Sequence, residues 1–115
     1  MATPEEQYRQ SCMNAVLRDG MLIRFMVQQT QELCMAAVKQ NGLCLKFIRN
    51  QTLEICYEAV NQNGLSLQFV EDQTVDICIR AVEQNGLALQ YVEKQTPEIC
   101  AKAISQNPQA VQYTQ

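Results

Sequence analysis

A chain of 115 residues with 47% hydrophobic side chains is long enough for one small domain and too apolar to remain disordered. Its net charge of −3, from 9 basic and 12 acidic residues, argues against nucleic acid as a ligand, because phosphate binding needs a basic stripe. Histidine is absent, so no Ser-His or Cys-His pair can form; the expectation is no enzyme, no catalytic residue and no cofactor.

The first segment opens with Thr3-Pro4-Glu5-Glu6, a capping box with proline at the first helical position. From there a beat of 22 residues takes over. Cysteine falls at Cys12, Cys34, Cys56, Cys78 and Cys100, alanine at Ala15, Ala37, Ala59, Ala81 and Ala103, and glycine at Gly20, Gly42, Gly64 and Gly86. A fixed period of this size is the mark of a repeat architecture, in which each unit buries its apolar side against its neighbours.

Residues 30–51 serve as the type unit. Thr30 is the expected N-cap, repeated by Thr52, Thr74 and Thr96, and an acidic residue follows two positions later at Glu32, Glu54, Asp76 and Glu98, where it suits the helix dipole. The helix should run to Asn41-Gly42, with Gly42 in the left-handed conformation that ends helices. At 100° per residue, Leu33, Cys34, Ala37 and Val38 share one arc, while Glu32, Ala36 and Lys39 face away. The next segment, Leu43 to Asn50, alternates like a strand in places. Its helical wheel, however, gathers Leu43, Cys44, Leu45, Phe47 and Ile48 on one arc opposite Lys46, Arg49 and Asn50, which predicts a second, shorter helix.

The fold class that follows is all-α: a short α-solenoid of five two-helix repeats. One domain spans residues 1–115, with units at about 3–29, 30–51, 52–73, 74–95 and 96–115. At about 8–10 Å per layer the rod should be roughly 45 Å long. The first and last units are expected to be caps of a complete protein. Ser11 stands where isoleucine recurs, Gln109 replaces leucine, Thr114 replaces valine and Asn107-Pro108 replaces Asn-Gly.

Three sets of columns carry candidate chemistry. The cysteines lack both a Cys-x-x-Cys pair and histidine, and at one layer apart they are too distant for disulfides, so a thiol- or metal-binding role is the weakest alternative and no metal site is expected. The amide columns Gln40/Gln62/Gln84/Gln106, Asn41/Asn63/Asn85/Asn107 and Gln29/Gln51/Gln73/Gln95 should bind the helix-terminal carbonyls and link adjacent turns as ladders down the rod. Partner binding belongs to the columns that vary. One is Met13, Met35, Tyr57 and Ile79 (then Ala101) on the first helices. Another is Arg24 and Lys46 on the shorter helices, which form a basic patch with Arg49.

The run Ala81-Val82-Glu83-Gln84-Asn85-Gly86-Leu87-Ala88-Leu89-Gln90-Tyr91-Val92, with Gln95-Thr96-Pro97-Glu98-Ile99-Cys100, resembles an uncharacterised tandem-repeat family found in bacterial, phage and giant-virus proteins. Its units read Ala-Val-x-Gln-Asn-Gly-x-x-Leu-x-Tyr, and Ala37-Val38-Lys39-Gln40-Asn41-Gly42 and Ala59-Val60-Asn61-Gln62-Asn63-Gly64 match closely. The resemblance implies helical repeats and brings no activity. The expected function is a non-enzymatic protein–protein interaction module. An alternative, suggested by small size and that distribution, is a phage- or virus-encoded inhibitor of a host defence protein. Residues 1–57 carry net +1 and residues 58–115 carry −4, so end-to-end or side-by-side self-association is a further partner reading. The polar N-terminus, with no lipidation motif and no spanning apolar run, leads to an expectation of a cytoplasmic protein, in the producing or host cell, with no membrane partner.

Overall fold

The computed structural model describes residues 1–115 and contains five α-helices alternating with five 3₁₀ helices. The α-helices are α1 (Pro4–Arg18), α2 (Gln31–Gln40), α3 (Leu53–Gln62), α4 (Val75–Gln84) and α5 (Pro97–Gln106); the 3₁₀ helices are η1 (Gly20–Phe25), η2 (Gly42–Phe47), η3 (Gly64–Phe69), η4 (Gly86–Tyr91) and η5 (Pro108–Tyr113). Each α/η pair packs only on itself and on the pairs before and after it, which makes the molecule an all-α helical solenoid. It measures 57 × 22 × 18 Å, longer than the layer spacing alone predicts. The radius of gyration is 16.1 Å, against about 13 Å for a compact chain of about 100 residues.

Threonine hydroxyls start the α-helices as expected. Thr30 accepts from the Leu33 N–H at 3.2 Å, and Thr52, Thr74 and Thr96 repeat the bond. Thr3 does so for Glu6, which sets the longer first helix. The helix ends differ from expectation. No glycine has a positive φ; the turn is made by Asn41 in extended backbone, φ −151° and ψ 107°. Its Oδ1 then accepts from the Leu43 N–H at 3.0 Å, so the asparagine column caps the 3₁₀ helix of its own unit and does not link layers. Asp19 performs the same task in the first unit, where the sequence departs from asparagine.

The second segment is helical, but with three residues per turn. That period sorts it into three edges. Leu45 and Ile48 point into the core, Cys44 and Phe47 lie on a second edge, and Lys46 and Arg49 lie on a third with Leu43. Ile48 is the extended cap after Phe47, and the helix ends earlier than the wheel suggests. Leu45, Leu67 and Leu89 are fully buried, whereas their counterpart Val111 in the last unit is 59% exposed, so each unit is covered by the one that follows. Facing backward are Leu33, Ile55, Ile77 and Ile99, all buried, where the first unit exposes Ser11.

Two glutamine ladders hold the layers in register, as the amide columns predict, the forward one through carbonyls and the backward one chiefly through a backbone N–H in place of a carbonyl. Gln40, Gln62, Gln84 and Gln106 reach back, each Oε1 accepting the N–H of the glycine one layer earlier; Gly42–Gln62 is 2.6 Å and Gly86–Gln106 is 2.5 Å. Gln29, Gln51, Gln73 and Gln95 reach forward. Each donates from Nε2 to the carbonyl of Phe47, Phe69, Tyr91 or Tyr113 and accepts at Oε1 from the N–H two residues on, at 2.8–3.1 Å. The backward ladder explains the glycines. A Cβ on Gly42 would press into the Ala59 carbonyl oxygen of the next unit, and Gly64 and Gly86 meet Ala81 and Ala103 likewise. At this position the last unit has Pro108, which has no N–H to donate.

One buried polar atom has no partner, the Ser66 hydroxyl, in a column otherwise filled by Cys44, Ala88 and Ala110. Ser66→Ala should therefore stabilise the fold by about 1 kcal/mol, read as a higher denaturant midpoint. Gly64→Ala should do the reverse and cost about 1–3 kcal/mol, because the new methyl group meets backbone that cannot step aside.

Candidate functional site

With the repeated columns committed to the fold, chemistry is left to the positions that differ between units. Met13, Met35, Tyr57 and Ile79 all lie half-buried against the core, on α1 to α4. Met13 and Met35 come together beside Leu17, Glu32, Ala36 and Lys39, around an open hollow of about 650 Å³. Tyr57 is covered by the Arg80 guanidinium, 5.7 Å from its ring centroid. These side chains spend much of their apolar area on packing, so the column offers less free surface than the sequence suggests.

The basic patch divides. Arg49 is turned into the first unit, where its Nη2 donates to the carbonyls of Met26 at 2.9 Å and Val27 at 2.6 Å. It clamps the chain's own backbone while its side chain stays exposed on the edge it shares with Lys46, so it is a less mobile member of the cationic patch than Arg24 and Lys46. Arg24 and Lys46 remain exposed and share a feature the sequence reading passed over. Phe25, Phe47, Phe69, Tyr91 and Tyr113 end the 3₁₀ helices at the same 22-residue interval and form an aromatic column. Phe25 is 67% exposed, and the later rings are half-buried. Arg24 lies over Phe25 at 4.5 Å and 5.7 Å from Phe47; Lys46 is 5.7 Å from Phe47 and 6.0 Å from Phe69. Rings and cations thus alternate along the first three units, and each such contact contributes about 0.5–1 kcal/mol at an exposed site. The signal was present in the sequence as an aromatic residue directly after each member of the Arg24/Lys46 column.

The thiols do not converge, and nowhere do three or more Cys, Asp or Glu side chains meet as a set of metal ligands. Cys34, Cys44, Cys56 and Cys78 are buried, and Cys12 and Cys100 are half-buried. Desolvation, helped by Asp19, pushes Cys44 up to about 11; desolvation with Glu71 and Asp72 does the same for Cys56, and desolvation with Glu93 for Cys78. Burial also raises Cys34, against the opposing pull of Arg49. Sγ of Cys56, Cys78 and Cys100 donates to the forward-ladder glutamines Gln51, Gln73 and Gln95 at 3.3–3.5 Å. The four buried thiols are packing material held in the protonated form, poor in the thiolate that nucleophilic or metal chemistry requires.

The architecture defines a helical-repeat protein. The family model described as "Domain of unknown function (DUF4116)" matches three overlapping stretches, residues 31–74, 52–95 and 74–114, and the chain belongs to that family. Each match spans about two units, and each begins one unit after the last. Neither the curated proteins nor the solved structures contain a match to the chain.

The buried thiols set a pH dependence. In the unfolded chain the thiols ionise near 9.0; in the folded chain Cys44, Cys56 and Cys78 hold their protons to about 11. Above about pH 9 the folded state therefore binds more protons, and the thiols' contribution to stability should be constant below pH 9 and fall as pH rises to 11. Denaturant midpoints across that range check the direction. A thiol-exchange reagent at pH 7 should label these three cysteines only after unfolding.

Proposed function

We propose that the chain is a non-enzymatic protein-interaction module that engages its partner through the 3₁₀ side of its first three units. The observation that carries this reading is the alternation of Phe25, Arg24, Phe47, Lys46 and Phe69 on one exposed stripe. Aromatic rings and arginine are the residues on which interface free energy concentrates, because they bury large areas at small entropic cost. The fold supports such a role physically. A stack locked by paired amide ladders holds side chains of different units at fixed intervals, so a partner loses little free energy to ordering the surface it meets.

The same reading supports a reducing compartment such as the cytoplasm, because all six thiols are free. No helix is long and apolar enough to cross a membrane.

Affinity capture from cell lysate tests the assignment when run on matched variants. Proteins retained by the native chain should be lost on combining Phe25→Ala with Arg24→Gln and Lys46→Gln, with a drop in recovery of tenfold or more, on the order of two hot-spot contacts. They should persist with Leu17→Ser, an exposed change at the Met13–Met35 hollow. Retention by the first variant and loss with the second would move the interface to the α-helical side; capture by neither form of the chain would defeat the reading altogether.

A further inference from the structure

The stripe repeats its chemistry once per layer, and the cations limit the interval: Arg24 lies 4.5 Å from the Phe25 centroid and 5.7 Å from that of Phe47, so these two rings are no more than about 10 Å apart. Cations sit in two successive gaps of the aromatic column: Arg24 between Phe25 and Phe47, and Lys46 between Phe47 and Phe69. Neither has a carboxylate partner, because the chain's only ion pair joins Lys102 and Glu83. A ligand that satisfies both must present negative charge twice on one side, one layer apart. In a β-strand the same-side spacing is about 6.6 Å and then about 13 Å, and the second overshoots that limit. A polyproline-II chain has three residues per turn at about 3.1 Å each, so residues i and i+3 lie on one side about 9.3 Å apart. An α-helix reaches about 10.5 Å only at i+7, with a cylinder about 10–12 Å wide that would bridge the gaps between rings without entering them.

Resting on the interaction-module reading and adding its partner chemistry, we infer that the stripe binds an acidic, proline-rich segment of another protein in the polyproline-II conformation. Two carboxylates three residues apart meet Arg24 and Lys46, and the intervening prolines lie on Phe25, Phe47 and Phe69. Proline-rich chains dock on aromatic-lined surfaces because their conformation is already ordered before binding. The charge requirement ends after two layers. At the equivalent position Gln68, Gln90 and Gln112 turn their amides onto the carbonyls of Leu65, Leu87 and Gln109 at 3.0–3.1 Å, and the last rings are Tyr91 and Tyr113. A segment continuing along the rod would there meet neutral rings and phenol hydroxyls in place of cations.

Fluorescence anisotropy with labelled probes on the full chain tests this. The probes are a peptide of four Pro-Pro-Glu repeats, its Pro-Pro-Lys counterpart, a Gly-Ser peptide with the same number of glutamates, a helical peptide with glutamates seven residues apart, and oligo-deoxythymidine. The Pro-Pro-Glu peptide should bind best, weaken as salt is raised, and lose at least about tenfold in affinity with Arg24→Gln and Lys46→Gln. Those substitutions install the residue that later units already carry there, so the fold is expected to tolerate them; a melting curve checks that it does. Equal binding of Pro-Pro-Lys, or tighter binding of the flexible, helical or nucleic-acid probe, would overturn the inference. If no probe binds while lysate capture still depends on the stripe, the ligand chemistry is wrong and the interaction module stands. If both fail, the module reading falls too.

Discussion

A glutamine side chain can accept and donate a hydrogen bond at the same time, and the whole rod depends on that property. Each unit ends two helices, and each helix end leaves backbone groups that find no partner within the helix. Glutamines of one ladder bind the start of the preceding 3₁₀ helix, and those of the other bind the end of the following one. No α-helix here after the first exceeds ten residues, a length that is marginal in isolation. Apolar burial supplies the bulk of the attraction between layers. The amides decide how the layers meet, because a slipped register would leave buried N–H and carbonyl groups unpaired.

The glycine column follows from the same contact. Gly42 must bring its N–H to Gln62 while its α-carbon passes the carbonyl of Ala59, and no side chain fits between them. The alanine column is the other half of this arrangement, since Ala37, Ala59, Ala81 and Ala103 provide the carbonyls against which the glycines pass. The interior cysteines lie buried, where a small polarisable side chain fills space without imposing a preferred packing direction. Columns that look chemical in the sequence are therefore consequences of close layering. The distinctive chemistry is concentrated where one unit departs from the next.

Much of the architecture was legible because its determinants are local or strictly periodic. Threonine caps, the proline-initiated first helix and the amphipathic α-helices rest on residues within one turn of each other, and the amide ladders follow from repetition. What was not legible depends on the neighbouring layer. Asn41-Gly42 reads as a left-handed helix stop, yet the glycine is there for a carbonyl 17 residues later in the chain. Six residues make barely two turns, too few to separate a period of 3.6 from 3.0, so η2 reads as an α-helix. Arg49 looks free until the carbonyls of Met26 and Val27 in the preceding unit come beneath it. The aromatic column stays hidden in the sequence because Phe47 falls on the apolar arc of its segment, although Phe25 stands largely in solvent.

The sameness of the junctions bears on how such a chain changes over generations. Every interior interface uses glycine, glutamine and alanine in identical roles, and the family matches advance along the sequence in steps of one unit. An in-frame duplication or deletion of 66 nucleotides within the gene, one unit of 22 codons, would therefore lengthen or shorten the rod while recreating a junction that already exists. An insertion that is not a whole number of units would put the glycines and glutamines of neighbouring layers out of step. Selection can thus adjust the distance between binding side chains in discrete steps, independently of their identity.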